Sequence, residues 1–363
     1  MIGLAAAVAR CLLLVAGLLA ASLAAALELH FVDVGQGDAV LILAPDGRAV
    51  VYDAGPSNDA MLHYLRQVGV EEVVLAVASH AHADHIGGLP AVLEAFRPPF
   101  LLDNDVPHTT RAFERYLDAA ERSGAQLLAP ERRTIRVGEV ALHVIPPPGR
   151  PGWGHNDNSV GLIIEYGEFR ASLTGDAEPR LFDWWLTSVP DMFAPVHVHK
   201  ASHHGSRNGD TAAALARLAP EVIVVSAGAG NRYGHPHAEA LERYAAVGAR
   251  VYRTDLHGHV EVHAAADGSF EVRTQRSADA SDGASPEPSP TAPTPALPAP
   301  AGCVDVNAAS LERLQDIVHI GPERARAIVE LRPLASLEDL TRVSGIGPAR
   351  LADIIEQGLA CVP

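Results

Sequence analysis

The chain has 363 residues, which is enough for two domains of ordinary size. Hydrophobic side chains make up 48% of it, so wholesale disorder is excluded. The 44 acidic and 28 basic residues give a formal net charge of −16, which argues against a protein that grips a polyanion through a broad basic surface. Aromatic residues make up 5% and disfavour stacking platforms for single strands, whereas the 18 histidines exceed what packing requires.

The first 26 residues have the pattern of a secretory signal peptide. Arg10 precedes an apolar run from Cys11 to Leu23, and the small residues that end at Ala26 form an A-x-A-like cleavage site. The alternative is an N-terminal anchor that stays uncleaved. The pattern predicts a secreted, periplasmic or cell-surface protein, in a compartment where disulfides can form.

Residues 27–275 alternate between strand and helix patterns, which predicts an α/β layered domain. The predicted strands are Leu29–Val34, Ala39–Leu43, Val50–Tyr52, Val73–Ala78, Val140–Ile145, Val160–Glu165 and Val222–Ser226. The predicted helices are Ala60–Val68, Leu89–Phe96, Thr110–Ser123, Thr211–Leu218 and His237–Val247.

Four side chains of the metal-ligand type follow the predicted strand Val73–Ala78. The segment reads Ser79-His80-Ala81-His82-Ala83-Asp84-His85-Ile86-Gly87-Gly88 and connects this strand to the next predicted helix. Such side chains cannot all lie in a core without partners. His80 and His82 can converge on one ion, whereas Asp84 and His85 point towards a second. The two glycines allow the backbone to turn tightly into the helix.

This spacing resembles the H-x-H-x-D-H signature of the metallo-beta-lactamase fold. Further motifs follow in the order found in the metallo-beta-lactamase domain of ComEC-type DNA-uptake proteins, over residues 28–262. They are Phe31–Ala39, Val51–Gly55, Asn158–Val160, Leu173–Asp176, His203–Ser206 and Asn231–Pro236. The resemblance implies a metal-dependent hydrolase with an α/β fold, a four-layer αββα sandwich whose metal site lies at one edge of its two sheets.

The resemblance also implies two metal sites. His80 and His82 would bind one ion, Asp84 and His85 the other, and Asp176 would bridge both. ComEC-type channel proteins usually carry Asp where this chain has His82, and the histidine restores a full two-metal set. Imidazole and carboxylate ligands favour zinc, with manganese as the alternative. Two such ions clamp a phosphate diester and activate water without a Ser or Cys nucleophile.

Further histidines complete the implied site. His155 lies in the interval of another metal ligand, with a loop histidine as the alternative. In the tandem pair we assign His204 to the metal and His203 to the substrate. Asn231, Tyr233, His235 and His237 either bind the phosphate and protonate the leaving oxygen or brace the ligands from behind. The predicted catalytic residues are Asp84, His203 and His235, and the predicted substrate-binding residues are Asn231, Tyr233 and His237.

Residues 276–301 are rich in Pro, Ala and Ser and predict a semi-rigid linker. Beyond it, residues 302–363 contain an internal repeat in which Ile317–Arg324 aligns with Val343–Arg350 at an offset of 26. Each copy is predicted as a helix, a tight Ile-Gly-Pro turn and a second helix that begins with proline.

The repeat resembles the paired helix-hairpin-helix module of ComEA-type DNA receptors. The implied interface consists of turn amides and nearby guanidinium groups that meet DNA phosphates without reading sequence, at Gly321, Gly345, Gly347, Arg324 and Arg350. His319 replaces the first glycine of the turn in copy one. The segment carries six arginines against nine acidic residues, so its net charge is 6 − 9 = −3 and its DNA affinity should be salt-sensitive. A protein-interaction module is the alternative.

Cys303 and Cys361 flank the repeat. Two stacked helical hairpins tend to return the chain ends to neighbouring positions, as a disulfide requires. We therefore predict a disulfide between them, with two unpaired surface thiols as the alternative.

Together these features predict a secreted two-metal phosphodiesterase, a nuclease in a DNA-processing context, joined to a DNA-binding module and without a transmembrane channel. The first alternative is a two-metal esterase that acts on a small or cell-wall phosphodiester. The second is a non-catalytic extracellular DNA receptor whose metals are structural.

Overall fold

The computed structural model describes residues 26–277 and 303–362, apart from positions 58, 151, 316, 335, 348–349, 352–353 and 356–358. The predicted signal peptide up to residue 25 and the predicted linker from residue 278 lie outside the described residues. The chain divides into two compact units between Ala284 and Ser285. None of the helices within the described ranges has the length and apolar composition that a membrane crossing requires.

The first unit is built from two sheets and a set of helices. Its strands are β1 (Leu27–Phe31), β2 (Ala39–Leu43), β3 (Arg48–Ala54), β4 (Glu72–Val77), β5 (Phe100–Leu102), β6 (Gln126–Leu128), β7 (Thr134–Val137), β8 (Val140–Ile145), β9 (Gly161–Tyr166), β10 (Phe169–Leu173), β11 (Val198–Lys200), β12 (Val222–Val225), β13 (Arg250–Arg253), β14 (Val260–Ala264) and β15 (Phe270–Thr274). Its helices are α1 (Ala60–Gln67), α2 (Ala83–Ile86), α3 (Leu89–Phe96), α4 (Arg111–Ser123), α5 (Pro179–Ser188), α6 (Ala212–Leu218), α7 (Ala238–Ala246) and α8 (Thr254–His257).

One sheet has eight strands in the order β15-β14-β1-β2-β3-β4-β5-β6, and the other has seven in the order β13-β12-β11-β10-β9-β8-β7. Strands β3 to β6 are parallel to one another, as are β10 to β13. Parallel strands end at the same edge of a sheet, and loops at that edge carry binding groups. The loops after β10 and β11 therefore lie at one edge of their sheet, and the loop after β4 of the other sheet meets them there, with His80 Nε2 at 3.9 Å from Asp176 Oδ2.

The main core lies between the two sheets, and each sheet buries its other face under helices. In β2 the side chains of Val40 and Ile42 join the central core, whereas Leu41 faces the helices of its own sheet. This alternation follows from the period of two in a strand. Trp185 of α5 and Tyr244 of α7 are buried on the outer face of the second sheet. The predicted four-layer αββα sandwich is thus confirmed.

The second unit is a small helical unit closed by a two-stranded parallel sheet. Its elements are α9 (Leu311–Leu314), α10 (Pro322–Leu331), a 3₁₀ helix (Leu337–Arg342), β16 (Val304–Asp305) and β17 (Ala360–Cys361). Positions 26 residues apart in the two repeats share one core, as Ile320 with Ile346 and Ile328 with Ile354. Ser336 and Asp339 form a capping box at the start of the 3₁₀ helix.

A disulfide joins Cys303 to Cys361 beside the β16–β17 pair, with 5.9 Å between their Cα atoms. Replacing both cysteines with serine should lower the free energy of unfolding of this unit by roughly 2–4 kcal/mol, because the unfolded chain regains the entropy of an open loop of 58 residues. Calorimetry of the whole chain would show an earlier transition for the small unit and an unchanged transition for the sandwich. Two alkylatable thiols in the wild-type protein, purified without reductant from an oxidising compartment, would contradict the bond.

Candidate metal centre

The candidate ligands lie on the loops after β4, β10 and β11. His80 lies in the bend after β4, and His82 precedes α2 in an extended conformation. Asp84 and His85 lie on α2, a single helical turn within the segment predicted as a loop. Gly87 and Gly88 have φ values of −58° and −89°, so ordinary residues could adopt their conformations. Their Cβ atoms, however, would lie 2.3 Å from the Pro56 carbonyl oxygen and 2.2 Å from that of Ala54. Close approach, rather than the predicted freedom to turn, requires these glycines.

The tandem histidines occupy a strained turn. His203 and His204 have φ values of 49° and 55°, in the left-handed region that side chains rarely adopt. The turn is held by hydrogen bonds from the His203 amide to the Gly175 carbonyl and from the His237 amide to the Gly205 carbonyl. Backbone strain of this kind persists where the surrounding structure imposes it, which is common at functional sites.

The first cluster contains His80 and His82. His80 Nε2 lies 2.9 Å from His82 Nδ1, and His80 Nδ1 lies 3.0 Å from the Ser79 hydroxyl. Burial lowers the pKa of His82 to about 4, and burial together with His85 lowers the pKa of His80. Both imidazoles are therefore neutral at pH 7, which is the form that binds a metal ion.

The second cluster contains Asp84, His85, Asp176 and His204, which offer ligand atoms within 4.8 Å of one another. Asp176 Oδ2 lies 3.2 Å from His85 Nε2 and 3.5 Å from His204 Nε2, and the latter atom is 3.2 Å from Asp84 Oδ2. Asp176 also reaches the first cluster, at 3.9 Å from His80 Nε2. It therefore faces both clusters.

Groups behind the second cluster fix which imidazole nitrogen faces it. His85 Nδ1 lies 2.8 Å from Asp53 Oδ2, and His204 Nδ1 donates to the Ser226 carbonyl oxygen at 3.0 Å. These bonds keep a proton on Nδ1 and leave each Nε2 directed at Asp176. Asp53 thereby orients the His85 imidazole. Burial lowers the pKa of both imidazoles, but Asp176 and the neighbouring carboxylates outweigh it and hold that pKa well above its ordinary value, so a metal ion would take the place of the Nε2 proton.

The cluster fits divalent metal ions. Among the described residues, His85 Nε2, His204 Nε2 and Asp176 Oδ1 are buried polar atoms with no hydrogen-bond partner. Atoms of this kind are costly unless something satisfies them, and here they converge. The donors are imidazole nitrogens and carboxylate oxygens, which suit divalent transition ions such as zinc.

The two tandem histidines differ in surroundings. His203 is 22% exposed, with Nε2 at 3.8 Å from Asp176 Oδ2 and Nδ1 at 3.3 Å from Glu178 Oε1. His204 is buried, and Nδ1 lies 3.2 Å from Asp38 Oδ1. This arrangement supports His204 as a ligand and His203 as a residue at the mouth of the site.

We expect His204→Ala to lose bound metal and His203→Ala to keep it while its turnover falls by roughly 100-fold. The reason is that, of the two, only His204 is buried with its Nε2 directed at Asp84 and Asp176. Elemental analysis of each purified variant, alongside steady-state kinetics, measures both effects. If His203→Ala lost metal and His204→Ala retained it, His203 would be the ligand and His204 the substrate-facing residue.

His155 lies beside the first cluster, with its ring 5.5 Å from that of His82 and its Nδ1 buried without a hydrogen bond to any described residue. His108, which the sequence analysis missed, packs 4.2 Å from the ring of His155. Its Nδ1 accepts from the Thr110 amide at 3.1 Å, so its proton lies on Nε2. With its proton on Nε2, this nitrogen is a donor, which suits a phosphate oxygen rather than a metal.

Within the polar loop 228–237, Asn231 braces the loop, whereas Tyr233 and His235 lie beside the tandem histidines. The Asn231 side chain donates to the Gly228 and His235 carbonyls and accepts from the Tyr233 and His235 amides, so its hydrogen-bonding capacity is used within the loop. It has the bracing position that the sequence left open. Tyr233 stacks on His235, whose ring lies 5.6 Å from that of His203. His237 accepts from the Arg207 amide through Nδ1.

Two residues essential to this geometry escaped the sequence analysis as functional residues. Asp38 and Lys200 are fully buried and form an ion pair, and Lys200 also donates to the Gly175 carbonyl at 3.1 Å. Burial raises the pKa of Asp38, but Lys200 and His204 outweigh it and hold that pKa below its ordinary value. A lysine that continues the strand-like alternation Val196-His197-Val198-His199 was the available signal.

In the small unit, the predicted DNA contacts fall on equivalent positions of the two repeats. Arg324 donates to the His319 carbonyl and Arg350 to the Gly345 carbonyl, so each guanidinium braces its own turn. Gly345 has φ +79° and His319 has φ +63°, so the histidine adopts the conformation that the second copy gives to glycine. Space is open around the Cβ positions of Gly321 and Gly347, which leaves the backbone at both turns accessible.

Comparison with known proteins agrees with this architecture. The family model of the Metallo-beta-lactamase superfamily matches residues 32–228, and that of the Helix-hairpin-helix motif matches residues 300–357. ComE operon protein 3 of Bacillus subtilis is 26% identical over 254 residues, which cover 64% of this chain and 32% of that protein. The chain thus spans about a third of the length of this relative.

Two further matches are shorter or more distant. A deoxyribonuclease of Thioalkalivibrio sp. is 45% identical over 62 residues, 17% of either chain. The solved structure of a metal-dependent hydrolase of the beta-lactamase superfamily matches 62% of this chain and 95% of its own, with 16% identity and a TM-score of 0.42. With more than half of its length matched by the family model, and with two sheets that converge on a cluster of histidines and aspartates, the chain belongs to the metallo-beta-lactamase superfamily.

Proposed function

We propose that the protein is a secreted two-metal phosphodiesterase that acts on DNA as a nuclease. The observation that carries the proposal is the position of Asp176, which faces His80 on one side and His85 and His204 on the other. Two divalent ions bound there, zinc in our assignment, would polarise phosphate oxygens and lower the pKa of water.

The protein's own residues supply positioning and a proton. His203 stands at the mouth of the site, and Glu178 beside its Nδ1 orients the ring. Its Nε2 can hold the proton that the leaving oxygen requires. His235 packs against both tandem histidines, at 5.6 and 6.1 Å between ring centres, and limits where the phosphate can lie.

The helix-hairpin-helix unit supports DNA as the substrate. Its two glycine turns leave backbone amides accessible, which suits phosphate oxygens and carries no sequence preference. The net charge of −3 that the sequence gives this segment implies weak binding that falls steeply with salt. The N-terminal sequence pattern and the disulfide support export.

The experiment that tests the proposal is hydrolysis by the metal-loaded protein of single-stranded DNA, duplex DNA, RNA and bis-p-nitrophenyl phosphate. We expect cleavage of DNA that chelation abolishes and that added zinc or manganese restores. Hydrolysis of the small diester without cleavage of any nucleic acid would favour the esterase. Metal binding without any hydrolysis would favour the DNA receptor.

Removal of residues 276–363 should leave turnover of bis-p-nitrophenyl phosphate within about two-fold, because every proposed ligand lies in the first unit. The KM for long DNA should rise by roughly 10-fold or more at low salt, because the tether no longer raises the local concentration of substrate. Steady-state kinetics on both substrates measure the split. Unchanged kinetics on long DNA would show that the small unit does not contribute to substrate binding.

A further inference from the structure

A cationic and aromatic cluster lies beside the candidate metal centre. The guanidinium carbons of Arg150 and Arg180 lie 5.1 and 4.1 Å from the ring centre of Trp153. Both arginines are exposed, and neither has a carboxylate within ion-pair distance in the described part of the chain. We call these three residues the Trp153 platform.

The platform is anchored to the segments that carry the ligands. The buried side chain of Asn158 accepts from the Arg150 amide and donates to the Arg150 carbonyl, both at 3.1 Å. Trp153 precedes His155 by two residues, which limits the distance between their Cα atoms to about 7 Å. Arg180 follows Asp176 by four residues. The platform therefore lies on the two segments that carry His155 and Asp176.

Nearby carboxylates are committed to other partners. Glu178 accepts from the Asn156 side chain at 3.0 Å and lies 3.3 Å from His203. Asp157 accepts from the Leu181 amide at 3.2 Å, and Arg180 acts on it electrostatically from beyond ion-pair distance. The two guanidinium charges of the platform thus stay available to an anion, on a protein whose net charge of −16 repels polyanions elsewhere.

The remaining cation–aromatic contact among the described residues also lies at the metal centre. The guanidinium of Arg232 lies 5.0 Å from the ring centre of Tyr233, and Tyr233 stacks on His235. All such contacts in the described ranges therefore border the site. The low aromatic content of the chain disfavours stacking surfaces in general. The few aromatic residues that contact a cation nevertheless lie where a substrate would pass.

We propose that the Trp153 platform is a subsite for single-stranded nucleic acid, and this inference rests on the proposed phosphodiesterase function. Indole and guanidinium planes both stack nucleobases, and guanidinium groups bond phosphates. A single strand exposes its bases to such a surface, whereas a duplex keeps them paired and stacked. The platform therefore holds a base and phosphate of the strand next to the diester at the metal centre, and it makes single strands the preferred substrate.

The test compares a short oligothymidylate with an abasic oligonucleotide of equal length and charge. Trp153→Ala should raise the KM for the thymidylate about 10-fold and affect the abasic strand by less than about two-fold, because only bases stack. Arg180→Ala should weaken both substrates, because it loses a phosphate contact as well. Arg136→Ala removes an exposed arginine of edge strand β7 and is the matched control, expected to change neither.

Binding separates this inference from the proposed function. A 5-iodouracil oligonucleotide is irradiated with the full-length protein after a chelator has removed its metal. It should cross-link to the peptide that contains Trp153, and the same cross-link should form in the Trp153→Phe variant. Cross-linking there by a wild-type protein that cleaves no nucleic acid would contradict the nuclease and keep the subsite. A Trp153→Ala variant that binds thymidylate as the wild type does, or that loses both substrates equally, would overturn the subsite.

Discussion

Asp176→Ala should abolish hydrolysis, with a loss of roughly 1,000-fold or more, and should lower the metal content of the purified protein. Asp176 is the carboxylate that approaches both clusters, at 3.2 Å from His85 Nε2 and 3.9 Å from His80 Nε2. Without it, two bound cations would lose the negative charge that screens their repulsion. Elemental analysis and kinetics on bis-p-nitrophenyl phosphate measure the two effects.

Asp183→Ala is the matched control, since Asp183 is an exposed carboxylate on α5, seven residues further along the chain. It should keep both metal content and turnover. Circular dichroism of Asp176→Ala separates loss of the site from loss of the fold. Full activity of Asp176→Ala with two equivalents of metal bound would remove this residue from the site.

The sequence predicted the strands and helices that have a strong apolar pattern. Ala39–Leu43 and Val140–Ile145 are apolar runs of buried strands, and the structure gives the same bounds. The strands β7 and β15 were missed because they are edge strands of largely exposed, alternating residues. Strand β11 was missed because it has only three residues, too few for a periodic pattern. It forms because β10 and β12 supply hydrogen bonds on both sides, which the sequence does not reveal.

The candidate site was predictable where its residues are close in sequence. His80 to His85 form one local motif, and the resemblance supplied Asp176 and His204. His108 was missed because its partner His155 lies 47 residues further along the chain, and its ring contact arises only when the loops after β5 and β8 meet. The contact between Trp153 and Arg180 was likewise not predictable, because only the fold places this guanidinium over the indole ring.

Lys200 is the largest omission, because a lysine in a sequence normally indicates a solvated surface. It stands 162 residues from Asp38, and the fold buries both side chains completely. Burial lowers the pKa of Lys200, but Asp38 and Asp176 outweigh it and hold that pKa above its ordinary value. The lysine is therefore charged at neutral pH and compensates the carboxylate behind the second cluster.

Lys200→Met should destabilise the sandwich by about 3–5 kcal/mol, because it leaves the carboxylate of Asp38 buried without its counter-charge. The double variant Lys200→Met with Asp38→Asn should recover more than half of that loss, since no uncompensated charge remains. Urea unfolding in the presence of a chelator measures both, because bound metal would otherwise stabilise the folded state unequally.

Activity should separate from stability in the double variant. Asp38 Oδ1 lies 3.2 Å from His204 Nδ1, so the carboxylate also orients this imidazole. An amide at position 38 does this less well, and loss of such a partner costs roughly 10- to 100-fold in metal affinity or activity. The double variant should therefore fold nearly as well as the wild type and still turn over slowly. Equal stability of the single and double variants would show that Asp38 does not need Lys200 as its counter-charge. Wild-type turnover in the double variant would show that Asp38 does not position His204.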